Sequence, residues 1–183
     1  MPEVLILTGP PGAGKSTVAQ ALAERYDRVA HVDVDNLRHL ITPTGYAKFG
    51  RPEYLRQRHL AIRNACALTR NFVDERFGVI IDDVLDDAGF IGLYEAGLQG
   101  MDAAVHLIQL LPSLAACQER HRLRSGGQAP AAWVVQDYER YKAGSSDLPG
   151  AMIDSSGLDP YATADKLQAL TTSGESLVWQ PGE

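Results

Sequence analysis

Val4-Leu5-Ile6-Leu7-Thr8, followed at once by Gly9-Pro10-Pro11-Gly12-Ala13-Gly14-Lys15-Ser16-Thr17, decides the fold. The first run is a short apolar stretch with β-branched residues, read as a buried strand. The second fits G-x-x-x-x-G-K-[ST] and opens a helix expected from Lys15 to about Tyr26. Strand, glycine-rich turn and helix together make a phosphate loop, whereas a Gly-Pro turn with an exposed lysine would need neither flank. Glycines let backbone N–H groups converge on a β-phosphate, and the helix start adds its positive end. Lys15 is expected to span the β- and γ-phosphates, Ser16 to offer its hydroxyl to Mg²⁺, and Thr17 to reach the α-phosphate.

Outward from this loop, β-rich runs at Val4–Thr8, Val29–Val32, Gly78–Ile81, Ala103–Leu111 and Ala151–Ile153 alternate with helical stretches. That alternation predicts a three-layer α/β fold, a five-stranded mostly parallel sheet with helices on both faces. Between Pro52 and Arg76, Leu55, Ile62, Ala65, Cys66, Thr69, Phe72 and Val73 recur at helical spacing, with Arg56, Arg63 and Arg70 on a separate, solvated face. Asp159 with Pro160 marks a later helix start. Residues 1–171 read as one domain, with a short lid at about 120–132 and a loose tail from 172 to 183. Gly126-Gly127 beside Ser125 marks a mobile loop.

The chain has 183 residues, 45% of them apolar, enough for one core. Its formal net charge of −6 argues against a polyanionic nucleic acid as partner. Cys66 and Cys117 lie far apart, in neither a disulfide nor a zinc pattern. No basic leader precedes Val4, and no apolar run reaches the ~18 residues of a membrane span, so a cytoplasmic protein is expected.

A GTPase would carry Asn-Lys-x-Asp, and no asparagine here precedes lysine, so Asp86-Asp87-Ala88-Gly89 is not read as a switch. A motor-type ATPase would place a glutamate after its strand-end aspartate, but Val79-Ile80-Ile81 runs into Asp82-Asp83. ATP is the expected nucleotide, and water is not the obvious acceptor. Asp82 or Asp83 should orient Mg²⁺; strand alternation sends them to opposite faces, and Asp82 is favoured. The second strand delivers Asp33 and Asp35 to the carboxyl end of the sheet, where open α/β sheets bind ligands. A hydroxyl acceptor needs such a carboxylate.

The phosphate loop, Val34-Asp35-Asn36-Leu37 and Ile80-Ile81-Asp82-Asp83-Val84, in this order and spacing, resemble the chloramphenicol phosphotransferase family of P-loop kinases. Asp35-Asn36-Leu37-Arg38 also resembles the Asp-x-x-Arg of polynucleotide 5′-kinases. The resemblance implies a P-loop kinase fold and Asp35 as the general base; the other reading of Asp35 is a helix N-cap. Asp33 reads equally as a metal-positioning carboxylate or a solvated strand end.

Arg120 and Arg124, one turn apart before the glycine loop, resemble a kinase lid, where one arginine covers the nucleotide and another touches the phosphate in flight; each also reads as a solvated helix end. The acceptor is expected above Asp35, walled by Arg38, Arg51 and Tyr54, with Tyr46 and Phe49 as either pocket wall or loop anchors. His31, His39, His59, His106 and His121 share no metal-ligand spacing and are assigned no chemistry. The leading expectation is an ATP- and Mg²⁺-dependent transfer to a small hydroxyl-bearing acceptor, chloramphenicol being one candidate. A polynucleotide or nucleoside 5′-hydroxyl kinase and an ATP-binding regulator without acceptor are the alternatives.

Overall fold

Alternation along each strand decides which helices it meets. In a computed structural model, which describes residues 3–42, 45–126, 132–180 and 182, strand β1 (Glu3–Thr8) sends Val4 and Ile6 to one core and Leu5 and Leu7 to the other. The first core lies under helices α3 (Glu53–Asp74) and α4 (Gly89–Leu98), the second under α1 (Lys15–Ala23) and α7 (Pro160–Ser173). Strands β2 (Val29–Asp33), β3 (Gly78–Asp83), β4 (Ala104–Leu110) and β5 (Ala151–Ile153) join β1 in the order β2-β3-β1-β4-β5, every neighbour parallel. The three-layer α/β architecture is as expected.

The sheet has a sixth strand where a loose tail is expected. α7 runs through residue 172, Gly174 turns the chain in the left-handed region (φ 79°), and β6 (Leu177–Trp179) pairs antiparallel with β4. The reason lies in the length of β5. It covers only Ile108–Leu110, so the earlier half of the β4 edge at Val105 and His106 is open, and β6 closes it. Buried Ser176 fixes the junction, accepting Leu107 N–H at its carbonyl and hydrogen-bonding His106 Nδ1 at 3.0 Å.

α1 stops at Ala23, three residues short of Tyr26. Two further helices complete the fold, α5 (Leu114–Arg124) and α6 (Ala132–Gly144), with a short α2 (Val34–His39) after β2. α6 escaped sequence reasoning although Val134, Tyr138 and Tyr141 recur at helical spacing, and all three are buried. Its end presses on the loop after β3: a Cβ at Gly144 would lie 1.9 Å from the Asp86 carbonyl oxygen. Among the described residues no helix is long and apolar enough to cross a membrane.

Candidate active site

The phosphate loop leaves β1 at the switch point of the sheet, with β3 on one side and β4 on the other. Its glycines are required by contact and by backbone angle. A Cβ at Gly9 would lie 2.4 Å from Leu110 O, and one at Gly12 (φ 83°) would lie 2.7 Å from Cys117 O. Gly14 (φ 92°) is the N-cap of α1, and neither a side-chain cap nor a first-turn acid occupies the free N–H groups there. An anion is the natural partner for them. Lys15 Nζ folds over the loop, donating to Gly9 O at 3.1 Å and lying 4.0 Å from Asp82 Oδ1.

Asp82 and Asp83 part to opposite faces of β3. Asp82 turns to α1, where it accepts the Ser16 hydroxyl at 2.5 Å, and His31 Nε2 lies 3.6 Å away. Burial pushes the Asp82 carboxyl up, but His31, Lys15 and the Ser16 hydroxyl outweigh it and hold it below the usual carboxylate range. Ser16 and Asp82 are hard oxygen donors at the loop mouth. Among the described residues no group of three or more His, Cys, Asp or Glu forms a metal cage. A sparse oxygen set suits Mg²⁺, which keeps waters and takes phosphate oxygens as its other ligands.

Asp83 faces the other core. Arg58 grips it at 2.7 and 3.3 Å and Tyr94 donates to it at 2.8 Å, all three buried. Burial favours the uncharged form of Arg58, yet Asp83 overrides it and raises the guanidinium's pKa. Sequence reasoning missed Arg58 and Tyr94; their helical spacing marks core positions without naming partners.

At the end of β2, Asp33 rather than Asp35 caps α2, accepting Asn36 N–H at 3.2 Å and its side-chain amide at 3.0 Å. Burial raises the Asp33 pKa, with Asp82 and Asp35 adding to the effect. Asp35 stands in the first turn of α2 with its side chain 50% exposed. Arg38, expected to wall the acceptor, is only 2% exposed and spends its donors on Tyr46 Oη (2.6 Å), Ala47 O (2.5 Å) and, weakly, Asp35 Oδ1 (3.4 Å).

Of the other expected acceptor residues, Arg51 is exposed, whereas Tyr54 is buried with its hydroxyl 3.5 Å from Asp86. Asp86 also binds Arg140 at 2.8 Å, and the Arg140 guanidinium lies 4.1 Å from the Phe49 ring centroid, so α6 reaches the acceptor segment. Arg120 ties α5 to the phosphate loop, donating to Ala13 O at 2.8 Å and Ser155 O at 2.6 Å. Arg124 is exposed at the end of α5, without a hydrogen bond among the described residues. Much of the glycine loop and the expected lid, residues 127–131, lies outside the described residues. Arg70 leaves the expected solvent stripe of α3 and binds the carbonyls of Gly97 and Gln99 at 2.8 and 2.5 Å.

Residues 4–144 match the family model described as AAA domain, AAA_33. The chain belongs to this AAA domain family. Comparison with curated proteins finds no match. Among solved structures this AAA domain protein is similar to the tunicamycin resistance protein of Deinococcus radiodurans, 22% identical with a TM-score of 0.65, covering 98% of this chain and 99% of that one. It is similar to a sugar kinase from Janibacter sp. HTCC2649, 15% identical with a TM-score of 0.70, covering 94% and 95%. A third likeness is to the Mycobacterium tuberculosis APS kinase CysC in complex with AMPPNP and APS, 18% identical with a TM-score of 0.66, covering 93% and 98%. At these identities the likeness establishes the P-loop kinase fold.

Proposed function

We propose that this AAA domain protein is an ATP-dependent phosphotransferase acting on a hydroxyl of a small molecule. The observation that carries it is a half-exposed carboxylate, Asp35, at the sheet end that also holds Lys15, Ser16 and Asp82. Asp33 lies between the two groups, feeling the charge of both Asp82 and Asp35. The kinase names among the structural neighbours support the same reading.

In this reading the free N–H groups at the start of α1 and the Lys15 ammonium hold the ATP phosphates. Ser16 and Asp82 would hold Mg²⁺, which would supply charge neutralisation to the ATP phosphates. Asp35 accepts the acceptor's hydroxyl proton as the new O–P bond forms and the bond from the γ-phosphorus to the bridging oxygen breaks, releasing ADP. Arg120 holds the loop's shape; Arg124 and the segment 120–132 supply the lid. Arg51, Phe49 and the exposed edge of Tyr46 meet the acceptor, and an antibiotic such as chloramphenicol is one candidate.

A mass-spectrometric screen of metabolites and antibiotics for ATP-dependent phosphoryl addition tests this, with Asp35→Ala as control. Transfer should fall by roughly 10²- to 10⁴-fold while ATP still binds. Unchanged turnover refutes the base; ATP binding with no acceptor found favours a regulator. A 5′-hydroxyl kinase would show steep salt dependence, and the burial of Arg38 speaks against it.

A further inference from the structure

A half-exposed carboxylate in a helix of six residues has no orientation of its own. Resting on the kinase reading, we propose that Tyr46 is the positioning residue of that site, its hydroxyl holding Asp35 Oδ1 so that Oδ2 receives the acceptor's proton.

The hydroxyl stands in a directed chain. Arg38 Nη1 donates to Tyr46 Oη at 2.6 Å, and Tyr46 Oη donates to Asp35 Oδ1 at 3.2 Å. The direct Arg38 contact to the same oxygen is longer, 3.4 Å, so the phenol is the closer link between a buried, immobile guanidinium and the carboxylate. Among the described residues Asp35 Oδ2 has no hydrogen-bond partner.

Tyr46 is itself held on three sides. The Arg38 guanidinium lies 3.7 Å from its ring centroid, and the His39 ring stacks on it at 4.8 Å and 23°. Buried Gln57 of α3 braces the backbone on either side, accepting Ala47 N–H at 2.7 Å and donating to Gly45 O at 3.0 Å. Asp35, Arg38 and His39 all lie on α2 and all address this one side chain. Burial, then the Asp35 charge, pushes the phenol's pKa up to about 12, so it stays a donor at any working pH.

Tyr46→Phe isolates the hydroxyl, because the phenyl ring keeps its contacts with Arg38 and His39. The charges acting on the pair are Arg38 and Asp33 beside Asp35, Arg58 of α3 acting on Tyr46, and Asp82 of β3 acting on Asp33; the substitution leaves all of them in place. Two measurements on the full chain decide. Carboxyl ¹³C NMR at neutral pH should show the Asp35 resonance displaced in the variant, since its Oδ1 loses the phenol donor. Turnover should fall about ten-fold with KM for ATP unchanged. Tyr46→Ala, which removes the ring as well, should fall further and also lower the urea midpoint. An unmoved Asp35 carboxyl resonance overturns the proposal whether or not the chain is a kinase. So does a Phe variant with wild-type kcat in a chain that does transfer phosphate. Absence of transfer by the wild type with a displaced Asp35 resonance would instead sink the kinase reading, and with it the catalytic purpose of the bond.

Discussion

Replacing Arg58 by Met should cost the fold about 3–5 kcal/mol, because it strands the buried carboxylate of Asp83 without its cation. Arg58 and Asp83 are 1% and 3% exposed and bound at 2.7 and 3.3 Å, so water cannot take the guanidinium's place. Tyr94 Oη and Val84 N–H would still donate to the carboxylate, but neither carries charge. The variant also forfeits the bond to Val84 O at 2.7 Å and the cation held 4.8 Å from the Phe90 ring centroid. For a chain of this size each kcal/mol moves Tm by roughly 2–4 °C, so a fall on the order of 10 °C is expected. Urea titration with an unchanged m-value is the assay, and calorimetry the check. Arg58→Met combined with Asp83→Asn should recover part of the loss, since the second change removes the stranded charge. A single variant within about 1 kcal/mol of wild type, or a double variant that only adds the two losses, refutes the assignment of Arg58–Asp83 as a coupled buried pair.

Arg76 sits just past α3 with φ 64°, a left-handed position that suits glycine. Its ion pair with Asp102 joins two mostly exposed side chains and offsets little of the strain; Arg76→Gly should raise stability by about 0.5–1 kcal/mol in urea titration, and a loss would refute the strain. Alkali should destabilise the fold: burial pushes Cys66 up to about 12 and Cys117 up to about 11, from an ordinary value of 9.0. The folded thiols keep protons that the unfolded chain sheds, so stability falls as pH rises past the unfolded value, by up to ~1.4 kcal/mol per pH unit for each group. Urea midpoints that stay flat between about pH 8 and 10.5 would contradict this.

The loop, the parallel strands and the capped α7 were legible because each rests on a local rule. Phosphate loops need glycine at fixed offsets, buried strands need short apolar runs, and Asp159-Pro160 starts a helix from its own side chain, which accepts Ala162 N–H at 2.8 Å. β6 was not legible, since Leu177–Trp179 is three residues whose pairing depends on how much of the β4 edge β5 leaves open. The tail reading failed on a tertiary fact.

The aspartates show where local reading stops. Alternation requires Asp82 and Asp83 to face opposite layers, but which layer holds α1 depends on how the chain crosses the sheet, and only the fold puts Ser16 against Asp82. Asp33 and Asp35 differ for a related reason. Both can cap a helix, and the structure gives the cap to Asp33, which leaves Asp35 in the first turn, free of the backbone. Neither its freedom nor its holding by Tyr46 could be read from spacing, because the residues that brace Tyr46 come from α2 and from Gln57 on α3. Released from capping, Asp35 meets buried Arg38 and the Tyr46 phenol at one oxygen only, so its counter-charge duty leaves Oδ2 unused. A half-exposed carboxylate with one oxygen fixed and the other open is what argues for chemistry at Asp35.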